Sequence, residues 1–206
     1  MLKKALYPVD TGKSCEGDWD ATGWLENREV LLVGAGPSVA KHQKAIINFI
    51  QKKQPAVIFI NLNSYLPNNI ADATILSNDT RANFDMEHYL KLNHPIIMPA
   101  SNMNYIFHNK LNKLNILDYG LKIEENMFRI GPRGCYLHWP LPFAYALSVL
   151  TIAKAKEIFL VGFDGYSHDD FRQTEMNEVL SNYKNLQEQI PIKAITPTNY
   201  QIRKGS

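Results

Sequence analysis

Arg28-Glu29-Val30-Leu31-Leu32-Val33-Gly34-Ala35-Gly36-Pro37-Ser38-Val39 reads as a strand, a tight turn and the start of a helix. Residues 30–33 form a short unbroken apolar run, the signature of a strand buried on both faces of a parallel sheet. Gly34 and Gly36 let the backbone turn sharply and approach a neighbour closely. Pro37 suits the first turn of a helix, where its missing N–H costs nothing. The helix that follows carries Val39, Ile46, Ile47 and Ile50 as its apolar stripe, and Pro55 closes it. A second buried strand is expected over 56–60, which completes a β-α-β unit of about 30 residues with a right-handed crossover.

Working outward, further strands are expected at 73–77, 95–98, 157–162 and 192–195, and helices at 142–155 and 171–187. Residues 101–134 are Asn-rich and aperiodic. They read as a loop-heavy insertion with one short strand near Phe128. Residues 1–27 read as a lead-in or linker, with Trp24 and Leu25 packing on the body of the domain, and residues 28–206 as one domain. Strands alternating with helices imply an α/β fold, a single doubly wound, mostly parallel, Rossmann-like sheet.

A chain of 206 residues has room for one full domain. Its formal charge of +2, from 22 basic and 20 acidic residues, lacks the electrostatic footprint of a nucleic-acid binder. Two cysteines, Cys15 and Cys135, are too few for a disulfide framework or a cysteine-built zinc site, and fit reduced thiols in the cytoplasm. The six histidines show no ligand spacing, so no metal site is assigned. Lys3-Lys4 is followed by Pro8 and Asp10 before any apolar segment, unlike a signal peptide. The most apolar segment, 141–153, is too short to span a bilayer, so no transmembrane segment is expected.

In an open α/β sheet, ligands bind beyond the carboxy ends of the strands, near the point where strand order reverses. Three such ends carry polar or glycine-rich residues. At the first, Gly34, Ala35, Gly36, Pro37 and Ser38 can cradle a phosphate on the free amides of a helix start. This is neither the G-x-G-x-x-G fingerprint nor a G-x-x-x-x-G-K-[ST] loop, and a tight turn without a ligand is the alternative. At the second, Asn61, Asn63 and Asn78 can read a base or a sugar hydroxyl, and Arg81 can clamp a phosphate. Asparagines after strands also simply make turns. The third, Gly162-Phe163-Asp164-Gly165-Tyr166, places an acid and a phenol at a strand end. Asp164 can bind a ribose hydroxyl, Tyr166 can donate to a phosphate oxygen, and His168 can act as general acid or base. Asp169 and Asp170 read as residues of a helix start. Cys135 has no base beside it in sequence to activate it as a nucleophile.

The G-A-G-P-S turn, the asparagine-bearing second strand end and the E-I-F-L-V-G-F-D-G-Y segment resemble two related groups. One is the bacterial sialyltransferases of glycosyltransferase family 42, in which a G-N-G-P-S loop and a late G-x-D-x-Y strand end hold CMP-sialic acid. The closer resemblance, over about residues 25–202, is to the C-terminal domain attached to 4-hydroxy-2-oxovalerate aldolase-like enzymes of lipopolysaccharide and O-antigen gene clusters. It is carried by R-E-V-L-L-V-G-A-G-P-S-V, F-A-Y-A-L-S-V, G-F-D-G-Y, R-Q-x-E-M and I-T-P-T-N-Y. Residues 1–27 resemble the joint after such an aldolase barrel. The chain contains no barrel, so aldolase activity is not implied, though an aldolase domain is an implied partner.

The resemblance implies a nucleotide or nucleotide-sugar ligand, CMP-sugar-like, in surface-polysaccharide biosynthesis. It places Gly34, Gly36, Pro37 and Ser38 on phosphate and ribose, Asn61 or Asn63 with Asn78 on the donor, and Tyr166 on its phosphate. If the chain is a transferase, His168 or Asp164 is the available base. Ala35 replaces the loop asparagine of the sialyltransferases, and their lid histidine has no counterpart here. A non-catalytic module binding a ligand or partner enzyme is the other reading. The same G-A-G-P-S turn also resembles archaeal pterin diphosphokinases, which implies magnesium held by Asp79 and Asp164.

Overall fold

Alternate residues of the first strand face opposite ways, and both faces are buried, which dictates a layer of helices on each side of the sheet. The computed structural model describes residues 15–103 and 111–205, apart from the side chains of Asp79, Arg203 and Lys204. Strand β1 (Glu29–Val33) lies centrally, with β2 (Ala56–Ile60), β3 (Ala73–Ile75), β4 (Ile96–Met98) and β5 (Ile116–Asp118) following on one side. On the other side lie β9 (Glu157–Val161), β10 (Ile192–Ala194) and β11 (Arg203–Lys204). Every neighbouring pair in this eight-stranded sheet is parallel. Strand order reverses between β1 and β9, so the switch point falls at Gly34 and Gly162.

One face of β1, through Leu31 and Val33, packs with Val57, Phe59 and Ile46 of the first crossover. That crossover is two helices, α1 (Ser38–Lys41) and α2 (Gln43–Lys53), broken at His42 rather than continuous as the periodicity suggests. The opposite face, Val30 and Leu32, belongs to the largest core. Its centre is α5 (Pro142–Ile152), apolar all round and buried from Phe143 to Thr151, which contacts both β2 and a second sheet. Helix α6 (Phe171–Lys184) adds Met176, Val179, Leu180 and Tyr183 to the same core.

The second sheet corrects the reading of 101–134 as mostly loop. Strands β6 (Gly120–Ile123), β7 (Phe128–Gly131) and β8 (Gly134–Leu137) pair in the order β6-β8-β7. Gly120 faces Gly134 across the β6–β8 pair, and a Cβ on either would run into the Cys15 carbonyl. Residues 15–27 are accordingly built into the domain rather than trailing from it. Leu25 and Ala21 are buried, and Trp24 packs on the core as expected. Residues 1–14 of the lead-in lie outside the described residues.

Cys135 is fully buried on β8, and burial pushes its thiol far above the ordinary range, so it is an inert core residue rather than a nucleophile. Among the described residues, no helix is long and apolar enough to cross a membrane.

Helices α3 (Asp79–Phe84) and α4 (Met86–Tyr89) lead from β3 towards His94, which is buried beneath β3 with Nε2 2.8 Å from Thr74 Oγ1. Burial outweighs the pull of the Asp72 charge and holds its pKa below the ordinary histidine value. The unfolded chain therefore binds this proton more tightly. The contribution is present above the unfolded value of about 6.5 and is lost as pH falls from there through the lower folded value. Urea midpoints taken at neutral and mildly acid pH should fall less in His94→Asn than in the parent. An equal fall would acquit His94.

Candidate functional site

Parallel strands deliver their carboxy ends to one edge, and at the switch point the turns after β1 and β9 lock together. The Gly34 amide donates to the Val161 carbonyl at 2.8 Å and the Gly36 amide to the Gly162 carbonyl at 3.0 Å. A Cβ on Gly36 would sit 2.9 Å from Asp164 Cγ, so the approach requires glycine. Asp164 then takes the position at the helix start where an anion is stabilised. Its Oδ2 accepts the Ser38 amide at 2.8 Å and its Oδ1 accepts the Ser38 hydroxyl. Ser38 Oγ also lies 3.2 Å from Thr196 Oγ1, which accepts the Gly162 amide at 3.1 Å.

This knot changes the expected chemistry of the turn. The Ser38 amide, read from sequence as free for phosphate, is occupied by the protein's own carboxylate. Both Asp164 oxygens are engaged, so service as a general base costs its bonds to Ser38. Hydrogen bonds to a charged group are worth about 1.5–3 kcal/mol. Asp164→Asn turns an N–H donor towards the Ser38 donors and should cost about that much in urea unfolding. A change inside the error of the titration would mean that the carboxylate is not holding the turn.

The Asp164 loop is held from behind by two residues to which sequence reading gave no role at the site. Gln173, near the start of α6, accepts the Tyr166 amide at 2.9 Å and donates to the Asn199 carbonyl at 3.2 Å. The Asn199 amide donates to the Asp164 carbonyl at 2.8 Å. The G-A-G-P-S, G-F-D-G-Y, R-Q-x-E-M and T-P-T-N segments therefore meet at one place. Thr196 and Asn199 lie directly after β10, so the carboxy-edge rule applied to the last strand would have pointed to them.

The other nominated residues divide. Asn63 is buried and structural: its Nδ2 donates to the Gly34 carbonyl at 3.0 Å and its Oδ1 accepts the Tyr65 and Leu66 amides. Asn61 follows β2 in the left-handed conformation, with its amide on the Ile75 carbonyl. Its Oδ1 is buried and has no hydrogen-bond partner. Ala35 and Pro37 are exposed on the outer side of the turn. Tyr166 lies at the rim, with the Arg172 guanidinium 4.1 Å from its ring centroid. Arg172 is pinned to Asp170, the cap of α6, with Nη2 at 2.5 Å from Oδ2, and that bond holds the Asp170 carboxyl below its ordinary value.

Asn78 and Arg81 are drawn away from the knot. Asn78 Oδ1 caps α3 by accepting the Arg81 amide at 3.1 Å, and the exposed Arg81 side chain lies 3.8 Å from Asp85. His168 is fully exposed, with its Nδ1 3.5 Å from Asp169 Oδ1 in the same loop. The Asp79 side chain lies outside the described residues. Among those described, no three His, Cys, Asp or Glu side chains group to hold a metal. No family model matches this chain, and no curated protein matches it.

Proposed function

We propose that the chain is a nucleotide-binding domain taking a CMP-sugar-like ligand, acting in bacterial surface-polysaccharide biosynthesis. The observation that carries this reading is Asn61 Oδ1, a buried acceptor without a donor beside the switch point of a parallel sheet. A buried carbonyl left unpaired costs about 1–3 kcal/mol, and a base amine or ribose hydroxyl supplies the missing donor. With Ser38 committed to Asp164, the phosphate falls to the rim, where Tyr166 offers a hydroxyl beside the Arg172 guanidinium that Asp170 holds in place.

A second reading, a ligand- or partner-binding module without chemistry, draws support from the two candidate bases. Asp164 is bound on both oxygens, and His168 stands fully in solvent. The deciding experiment is a thermal-shift screen with CMP, CMP-sialic acid, UDP-sugars, GDP-sugars and ATP, followed by assay of CMP release from CMP-sialic acid. A nucleotide at 100 times its Kd adds about 2.7 kcal/mol of stability. Asn61→Gly keeps the left-handed backbone and removes the amide. It should hold or raise the free protein's stability, since the unpaired acceptor is gone, and erase the CMP shift. A shift without CMP release supports the binding module; no shift with any nucleotide overturns the nucleotide reading.

A further inference from the structure

At the amino-terminal edge of the sheet, opposite the knot, a cavity of about 550 Å³ lies between the end of α6 and the starts of β9 and β10. That volume falls within the range of small-molecule sites. Its inner wall is apolar, built from Leu180, Tyr183, Ile190, Ile192 and Ile202. Tyr183 contributes its ring and not its hydroxyl. The hydroxyl already accepts the Ile190 amide at 2.9 Å and shares a bond with Thr151 Oγ1, whose own proton goes to the Leu147 carbonyl.

Polar groups gather at the rim. Lys193 is neutralised by Glu157 at 2.6 Å. Lys184, the last residue of α6, donates to the Gln201 carbonyl at 3.2 Å, and no described carboxylate forms an ion pair with it. The cavity thus combines an apolar interior with one cation whose charge is not cancelled at its mouth. The Gln189 and Gln201 side chains are exposed beside it. An apolar wall favours burial of hydrocarbon, and an uncancelled ammonium favours a single anionic head.

We infer that this cavity is a second ligand site, for a small monocarboxylate with an apolar body. It does not rest on the nucleotide reading, because none of its lining belongs to the carboxy edge of the sheet. The test is isothermal titration of the full chain with dodecanoate, held below its micelle concentration, and with neutral methyl dodecanoate.

Dodecanoate should bind saturably, with a Kd on the order of 10 µM. Gln201→Trp places an indole at the mouth while keeping the backbone carbonyl that holds Lys184, and should weaken binding at least tenfold. Lys184→Met should weaken dodecanoate about tenfold and leave the methyl ester unchanged. Both variants change exposed side chains, and unaltered far-UV circular dichroism confirms that they fold. No saturable binding, or equal binding to parent and Gln201→Trp, overturns the site. Equal affinity for acid and ester overturns the role of Lys184. The CMP thermal shift, measured in the same variants, should not move, so failure of either site is read separately.

Discussion

Gly162→Ala should be severely damaging, because backbone strain and a steric clash fall on the same added methyl group. Gly162 follows β9 at φ +72, a conformation that costs other residues about 1–2 kcal/mol. The added Cβ would also lie 2.5 Å from Val39 Cγ2 and 2.7 Å from the Gly34 carbonyl oxygen. That oxygen cannot retreat freely, because it accepts the Asn63 amide at 3.0 Å, and Asn63 in turn holds the Tyr65 and Leu66 amides. Strain and clash together should exceed about 4 kcal/mol, a large share of a domain's total stability. The melting temperature should drop by about 10 °C or more. Gly131→Ala is the matched control: its Cβ comes no nearer than 3.4 Å to the Gly134 carbonyl, and its change should stay within about 1 kcal/mol. Equal melting of both variants would mean that the two turns are not locked.

The second large effect concerns the lead-in. A chain beginning at residue 28 should not fold cooperatively, although residues 28–206 contain every strand of both sheets. The amides of Gly23, Leu25 and Asn27 donate to the carbonyls of Ile152, Ala153 and Lys154 at 2.9–3.1 Å. These are the carbonyls at the end of α5, which no intrahelical amide can reach. One turn of sequence earlier, Gly17, Trp19 and Ala21 donate to Arg133, Asp118 and Pro132, stitching the second sheet to the main one. Leu25 and Ala21 are at most 2% exposed, and Trp19 stacks edge-on with Trp24 and Tyr119. Burying a large apolar side chain is worth about 1.5–3 kcal/mol, so several lost at once rival the whole stability of a domain. Limited proteolysis and near-UV circular dichroism read the result. A sharp unfolding transition within a few degrees of the parent would refute the prediction.

The sheet was legible where strands are buried on both faces. Residues 56–60 match β2 to the residue, and β1 and β9 differ from expectation only at an end, because an unbroken apolar run leaves no second register. The start of α5 at Pro142 was equally plain. Strands β5, β6 and β8 were not, and β7 was legible only as a short strand near Phe128, since three or four residues carry little period and their pairing depends on distant partners such as the Cys15 carbonyl against Gly120. At the knot, Gly34, Gly36, Ser38 and Asp164 were recognisable one by one. Their mutual bonding was not, because a hydrogen bond between residues 126 positions apart leaves no local trace. Thr196 and Asn199 were missed although they follow β10, because the carboxy-edge rule was not carried to the last strand.

The placement of the aromatic residues also governs what light reports about this protein. Two of its three tryptophans, Trp19 and Trp24, stand 5.3 Å apart within the lead-in, while Trp139 donates its indole N–H to Glu178 on α6. Tryptophan emission therefore weights the docking of residues 15–27 far above the state of the parallel sheet, whose strands contain no tryptophan. Far-UV circular dichroism weights the sheets and helices instead. In a denaturant titration the two signals coincide only if the lead-in and the sheet let go together, so their separation measures how strongly the clasp is coupled to the body it closes.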